Sequence, residues 1–218
     1  VYKRQLLSFV FIDAKLSQSS LNKIHSEAIK VSFEAITVDG DTSPNDSSLL
    51  VANGNKEKSV NIGSVDENKI SGAVIEIFKE LAELLVDDAE GATKKIRVKV
   101  VKAKNVEQAK SVAFTIAESS LVKTAMFGSD ANWGRILSAI GRDPTVKEIN
   151  NIEIKLNGQP LVKKGYIDPS YSEKLASKEM KKKEIIIDVK LGSGKEGFEV
   201  ITSDLSEDYV LINSDYRS

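Results

Sequence analysis

The chain has 218 residues, 41% of them apolar and 29% charged, with 4 prolines, which suits one large domain or two small ones. Lys+Arg number 31 against Asp+Glu 32, so the net charge of -1 creates no field that favours nucleic acid or an anionic membrane. The absence of cysteine excludes disulfides, thiolate nucleophiles and cysteine zinc sites, and a single histidine excludes HExxH.

In chain order, residues 6–13 read as a buried strand and 19–33 as an amphipathic helix with the stripe Leu21, Ile24, Ala28 and Val31. His25 falls beside that stripe, as a surface or boundary residue. A Ser-His-Asp triad within this chain would have to use it. Residues 36–46, ITVDGDTSPND, form a short apolar lead into a loop, and 47–53 a strand ended by Asn53-Gly54. Ser64 and Glu67 suggest a capping box, followed by a helix with Ile70, Val74, Ile77, Phe78, Leu81 and Leu85 on one face.

A turn at 87–93 leads to a strand over 95–101. There Ile96, Val98 and Val100 alternate with Arg97 and Lys99, the pattern of a sheet wetted on one face. One helix is expected from Val106 to about Leu121, and another from Trp133 to Ile140. Beyond Glu148 the pattern is β-rich, with strands at 152–156, 160–163, 184–190 and 198–202. The last two are read as a hairpin closed by the glycine-rich turn 192–197. The Lys181–Lys183 run reads as a solvated lead into a strand. The class is α+β, with two subdomains meeting near 91–94.

No apolar run approaches the roughly 20 residues that span a bilayer. Residues 6–11 are too short for a secretory signal and are followed by Asp13. A cytoplasmic location is the expectation.

Two constellations invite chemical readings. Asp39-Gly40-Asp41 after an apolar strand looks like the first motif of haloacid-dehalogenase phosphatases, in which paired aspartates work beside Mg²⁺. Ser43 stands where that motif wants Thr or Val, and a tight loop of capping side chains is the favoured alternative. Asp87, Asp88 and Glu90 offer carboxylates for acid–base work, or simply an acidic helix end.

Phe127-Gly128-Ser129-Asp130-Ala131-Asn132-Trp133-Gly134-Arg135-Ile136 is the most distinctive stretch. It resembles the F-G-x-D-P-N-W-G-R-I block of the ornithine acetyltransferases, the bifunctional glutamate N-acetyltransferases of arginine biosynthesis. Other segments resemble further blocks of that family in its order: LLSFVFIDA from Leu6, VDGDTSPND from Val38, EGATK from Glu90, and DLS followed by YVLINSDYRS at the C-terminus.

The resemblance implies an αββα sandwich of the DmpA/ornithine-acetyltransferase type over 6–92, and a smaller α+β domain over 93–218 whose tail returns to the active site. It implies substrate contacts from Glu90, Asn213 and Ser218. A carboxylate at Glu90 suits an amino-acid substrate because it can pair with an ammonium group.

Family members are cut from one precursor before a threonine, in A-T-M-L-x-F, and that threonine becomes the nucleophile. Its own α-amine can serve as base, so no histidine is needed. The reaction is ping-pong: acetyl moves from N2-acetylornithine to the enzyme, ornithine leaves, and glutamate becomes N-acetylglutamate. The implied partner is the α chain of the same precursor, which supplies the oxyanion donors, in an α2β2 heterotetramer. No metal or cofactor is implied, and acetyl-CoA is left open as a co-substrate.

Matching Leu6-Leu7-Ser8-Phe9 to M-L-x-F places Gln5 at the nucleophile's position. Residues 1–5 look foreign to the family. They match a translation of GTG-TAT-AAG-AGA-CAG, which resembles a transposon adapter end used in shotgun sequencing. They are read as adapter-derived, replacing everything up to and including the threonine, so this chain is expected to be inactive as written. The alternative is a natural, catalytically dead paralogue with a genuine Gln5. Two other classes stay open: a related aminopeptidase, which normally uses an N-terminal serine, and the Mg²⁺-dependent phosphatase of Asp39 and Asp41.

Overall fold

A computed structural model describes residues 6–55 and 59–215. The class is α+β. By contacts the chain divides into two compact units, Val1–Ala35 with Asp41–Leu84, and Ile36–Gly40 with Leu85–Ser218.

In the first unit, β1 (Leu7–Ile12) and β2 (Ser47–Ala52) pair in parallel, with α1 (Gln18–Lys30) connecting them. A parallel pair needs such a crossover because a tight turn cannot reverse the chain twice. Ser17 caps α1 by accepting from the Ser20 amide. Val10 and Leu50, register partners, are buried with Ile24, Ala28, Val74 and Phe78.

The expectation of a buried strand is corrected in β1, whose residues alternate between exposed and buried. Leu7, Phe9 and Phe11 of β1 and Leu49 and Val51 of β2 are exposed on one face, Phe11 at 72%. Parallel strands normally have both faces covered, whereas this apolar face is exposed.

α2 (Val65–Asp87) begins at Ser64, whose Oγ accepts from the Glu67 amide at 3.1 Å. The return half of the expected capping box shifts by one residue, because Glu67 accepts from the Gly63 amide and not from Ser64. The buried stripe of α2 also differs from the expected one. Val74, Phe78, Ala82 and Val86 are buried at i,i+4 spacing, while Ile77 and Leu85 face outward.

The second unit is built on a six-stranded sheet in the order β6-β5-β4-β7-β3-β8. Its strands are β3 (Lys95–Ala103), β4 (Glu153–Leu156), β5 (Gln159–Lys163), β6 (Tyr166–Ile167), β7 (Glu184–Lys190) and β8 (Glu196–Ser203). β3 runs parallel to β7 and antiparallel to β8.

On the core face Val98 lies between its register partners Ile187 and Val200. On the opposite face Arg97 pairs with Glu184 and with Glu199, and Lys99 with Glu199. The one-sided wetting expected from the alternation of β3 is therefore observed. β7 and β8, expected as a hairpin, are separated by β3. The 192–197 segment instead crosses the end of β3, so closely that a Cβ on Gly194 would lie 1.8 Å from the Ala103 carbonyl oxygen.

The single helix expected from Val106 is two helices, α3 (Val106–Ala117) and α4 (Ser120–Phe127). The chain breaks where Ser119 caps the second, its Oγ accepting from the Val122 amide. α5 (Trp133–Arg142) follows with Asn132 as its cap. The short α6 (Glu173–Glu179), not expected from the sequence, contributes buried Ala176. α7 (Glu207–Ser214) closes the described chain.

Residues 36–40 join this second unit from far upstream in sequence. Ile36 bridges to Ile201 on the free edge of β8, and the Thr37 amide donates to the Ile201 carbonyl at 3.0 Å.

Candidate active site

The turn after α2 is pinned to the segment that follows β8. Asp204, only 3% exposed, accepts through Oδ1 from the amides of Thr93 (2.8 Å) and Lys94 (3.0 Å), and through Oδ2 from the Thr93 hydroxyl. With two backbone amides on it, this carboxylate holds the turn's shape. Ser206 works in both directions. Its hydroxyl donates to the Gly91 carbonyl at 2.6 Å, and its Oγ accepts from the Tyr209 amide as the cap of α7. Gly91 has φ +66, and a Cβ there would come within 2.6 Å of the Tyr209 nitrogen, so the close approach requires glycine.

This staple brings together two residues 123 apart in sequence. The Asn213 side-chain amide donates to Glu90 Oε2 at 3.2 Å and to the Tyr209 carbonyl at 2.8 Å. Glu90 and Asn213 are both half-buried. A carboxylate held beside a carboxamide can bind an ammonium group while the amide presents a neutral polar edge. The other two positions expected in the site, Ser218 and Gln5, lie outside the described residues.

Next to this pair, the Tyr209 hydroxyl donates to Asp39 Oδ2 at 3.0 Å. Asp39 is thus engaged with α7, and among the described residues no three His, Cys, Asp or Glu groups converge as a metal site would require. The favoured loop reading of VDGD fits this arrangement: Gly40 takes φ +85 and its amide donates to Thr37 Oγ1 at 3.1 Å. His25 is half-buried in the first unit. Its Nε2 lies 3.1 Å from Ser48 Oγ, its ring packs edge-on against Phe78, and its hydrogen bond goes to no carboxylate.

Two lysines complete the frame. Lys94 Nζ donates to the Met126 carbonyl (2.6 Å), Ser129 Oγ (2.7 Å) and the Met180 carbonyl (2.9 Å), and burial holds its pKa below the usual lysine range. Ser129 has φ 56, a left-handed turn that follows α4 directly. Asn132 accepts from the Arg135 amide at 3.1 Å, and Arg135 reaches back to the Leu121 carbonyl at 2.8 Å. The tryptophan block therefore folds a turn and starts a helix, and Lys94 links it to the site.

Lys123 is 4% exposed. Its Nζ donates to the Val38 carbonyl at 2.6 Å and to Thr202 Oγ1 at 2.9 Å. Burial pushes this amine down to about 8, against the opposing pull of Asp204, Asp39 and Glu118.

With the geometry established, a model of the ArgJ family matches residues 4–218. The chain belongs to the ArgJ family. Among curated relatives, the arginine biosynthesis bifunctional protein ArgJ of Desulfotalea psychrophila is 43% identical over 214 residues, covering 98% of this chain and 54% of the relative. That of Methylococcus capsulatus is 42% identical over 215 residues, covering 98% and 53%. The chain thus spans about half the length of the curated relatives it matches. Among solved structures, the crystal structure of the arginine biosynthesis bifunctional protein ArgJ from Bacillus halodurans superposes with a TM-score of 0.91 at 34% identity. That match covers 98% of this chain and 100% of the solved one.

Within this ArgJ-family chain, sequence reasoning had no role for Lys123, Tyr209 or the Asp204–Thr93 contact. Lys123 carries a signal of its own, because it lies on α4 among the buried Val122, Ala125 and Met126, where a lysine needs an internal acceptor. Tyr209 carries none, since its partner Asp39 is 170 residues away.

Proposed function

We propose that this chain is the β-chain part of a glutamate N-acetyltransferase of arginine biosynthesis, carrying the amino-acid-binding half of its site. The observation that supports it most directly is the Glu90–Asn213 pair, 3.2 Å apart and held by the Asp204 and Ser206 contacts. In this reading Glu90 pairs with the free ammonium of N2-acetylornithine and Asn213 sets the carboxylate's orientation. Ser218, at the C-terminal end of the YRS motif, adds a hydroxyl.

The reaction is acetyl transfer in two steps. The hydroxyl oxygen of an N-terminal threonine attacks the acetamide carbonyl, its proton passing to the threonine α-amine. The C–N bond then breaks and ornithine leaves with that proton on its amine. In the second step the glutamate amine attacks the acetyl ester, the threonine hydroxyl re-forms, and N-acetylglutamate departs. Oxyanion donors come from the α chain. Acetyl-CoA is a second acetyl donor to be tested, and the cytoplasm is the proposed location.

Gln5 stands at the nucleophile's position and has no hydroxyl, so in this reading the chain as written forms no acetyl-enzyme. The α chain is the proposed partner, in an α2β2 assembly, and the exposed apolar face of β1 and β2 supports a covering chain but not a stoichiometry. The α chain is further supported by relatives about twice as long as this chain.

The test replaces residues 1–5 by a single N-terminal threonine and pairs the chain with the amino-terminal half encoded by the source gene. Ornithine release from N2-acetylornithine, and N-acetylglutamate formation when glutamate is added, are the expected results. A folded pair that transfers no acetyl group overturns the reading.

A further inference from the structure

We infer that Lys123, buried behind the site, is a positioning residue that sets the place of α7 and hence of Asn213 against Glu90. The inference deepens the acetyltransferase reading and, for its kinetic part, rests on it.

The helix α7 is held by few contacts of its own. It is eight residues long, has no buried residue, and exposes Val210, Leu211 and Ile212. A helix this short is not stable alone, and no packed apolar face locates it. Its position is set instead by hydrogen bonds: the Ser206 cap, Tyr209 to Asp39, and Asn213 to Glu90. The Asp39 contact is only as firm as the loop that carries it.

That loop, residues 36–40, lies along the edge of β8 by one bridge at Ile36. Lys123 supplies the next hold. One ammonium joins the Val38 carbonyl, adjacent to Asp39, to Thr202 on β8, while the Lys123 backbone carbonyl accepts from the Leu205 amide at 3.4 Å. A single residue of α4 thus touches the loop, the edge strand and the segment entering α7. From it a continuous path runs through Val38, Asp39, Tyr209 and Asn213 to Glu90. Lys123 is 4% exposed and both its described acceptors are spent on this frame, so it acts on substrate indirectly, through the frame that carries Asp39 and α7.

Burying an amine is unfavourable unless its acceptors are well placed. A leucine or methionine would fill the same place without that penalty, but it would leave the Val38 carbonyl without this donor.

The experiment compares Lys123→Met and Tyr209→Phe with wild type in the assembled two-chain protein. Amide hydrogen exchange over residues 209–214 is expected to accelerate at least about tenfold in both variants, with β3 and β7 keeping their protection. The KM for N2-acetylornithine is expected to rise about tenfold, with kcat within about twofold. Unchanged exchange in α7, loss of protection spread over β3 and β7 in Tyr209→Phe, or a fall in kcat at constant KM overturns the inference.

If Lys123→Met does not fold, Tyr209→Phe, which loses one hydroxyl and no packing, decides through the same two readouts. The exchange result does not depend on activity. Acceleration confined to α7 in a protein that transfers no acetyl group sinks the acetyltransferase reading and leaves the positioning role standing.

Discussion

Thr93 and Asp204 are joined twice, the amide donating at 2.8 Å and the hydroxyl to the second carboxylate oxygen. Their separation of 111 residues makes this contact the joint between the turn that carries Glu90 and the segment that starts α7. Asp204→Ala leaves the Thr93 and Lys94 amides without their acceptor and is expected to destabilise the protein by about 3 kcal/mol. Urea unfolding of variant and wild type measures this, and a loss under about 1 kcal/mol would show that water replaces the carboxylate there.

Glu90→Gln keeps the shape of the side chain and its bond from Asn213 but removes the charge. In the active pair it is expected to raise the KM for N2-acetylornithine by about tenfold or more, as one charge-assisted contact implies. Asn213→Ala is expected to act in the same direction. Steady-state kinetics with each variant check both, and an unaltered KM in Glu90→Gln would place the ammonium elsewhere.

The Lys123 amine makes stability depend on pH in a definite sense. Burial lowers its pKa from the ordinary 10.5 to about 8 on folding, against the opposing pull of Asp204, Asp39 and Glu118. Between these values the unfolded chain holds the extra proton. The penalty of burying the charge is therefore present in full below about pH 8, and it disappears as pH rises through 10.5. Relative to Lys123→Met, wild type should gain up to about 3 kcal/mol across that window. Paired denaturation curves at pH 7.5 and 10 read the difference, and a flat difference contradicts the assigned burial.

Gly91→Ala places a Cβ against the Tyr209 nitrogen and the Ser206 hydroxyl in a left-handed turn. A loss of about 2 kcal/mol or more is expected. Hydrogen exchange should show the damage concentrated in α7, because that helix has no apolar anchor. Damage confined to β3 would contradict this account.

Phe9→Lys with Phe11→Lys puts charge on the uncovered face of β1 without touching Val10 or the core beneath. The doubly substituted chain should fail to pair with its amino-terminal half in size-exclusion chromatography while its near-UV signal from Trp133 stays intact. Normal pairing would point to another surface.

What the sequence revealed depended on how local the controlling interaction was. The alternation of β3 and the Ser64 cap of α2 are short-range signals, and elements with such signals formed where they stood in the chain. Apolar periodicity runs through Ala117 to Val122 unbroken, which hid the Ser119 cap and merged α3 with α4. The 192–197 glycines suggest a hairpin locally, whereas the better partner for both flanking strands is β3, almost 100 residues upstream. Glu90 and Asn213, singled out through their motifs, lie within hydrogen-bond distance of each other. Lys123 belongs to no motif that pointed to it, and although its apolar neighbours on α4 are a signal, its acceptors lie 85 and 79 residues away.

The 36–40 segment carries a consequence for biogenesis. A ribosome releases these residues long before Ile201 and Tyr209 exist, and the Asp39–Tyr209 contact spans 170 positions. The Glu90–Asn213 contact is therefore among the last features to form, and a prematurely terminated polypeptide cannot assemble it. Swapping the second unit between relatives requires transplanting this early pentapeptide with it.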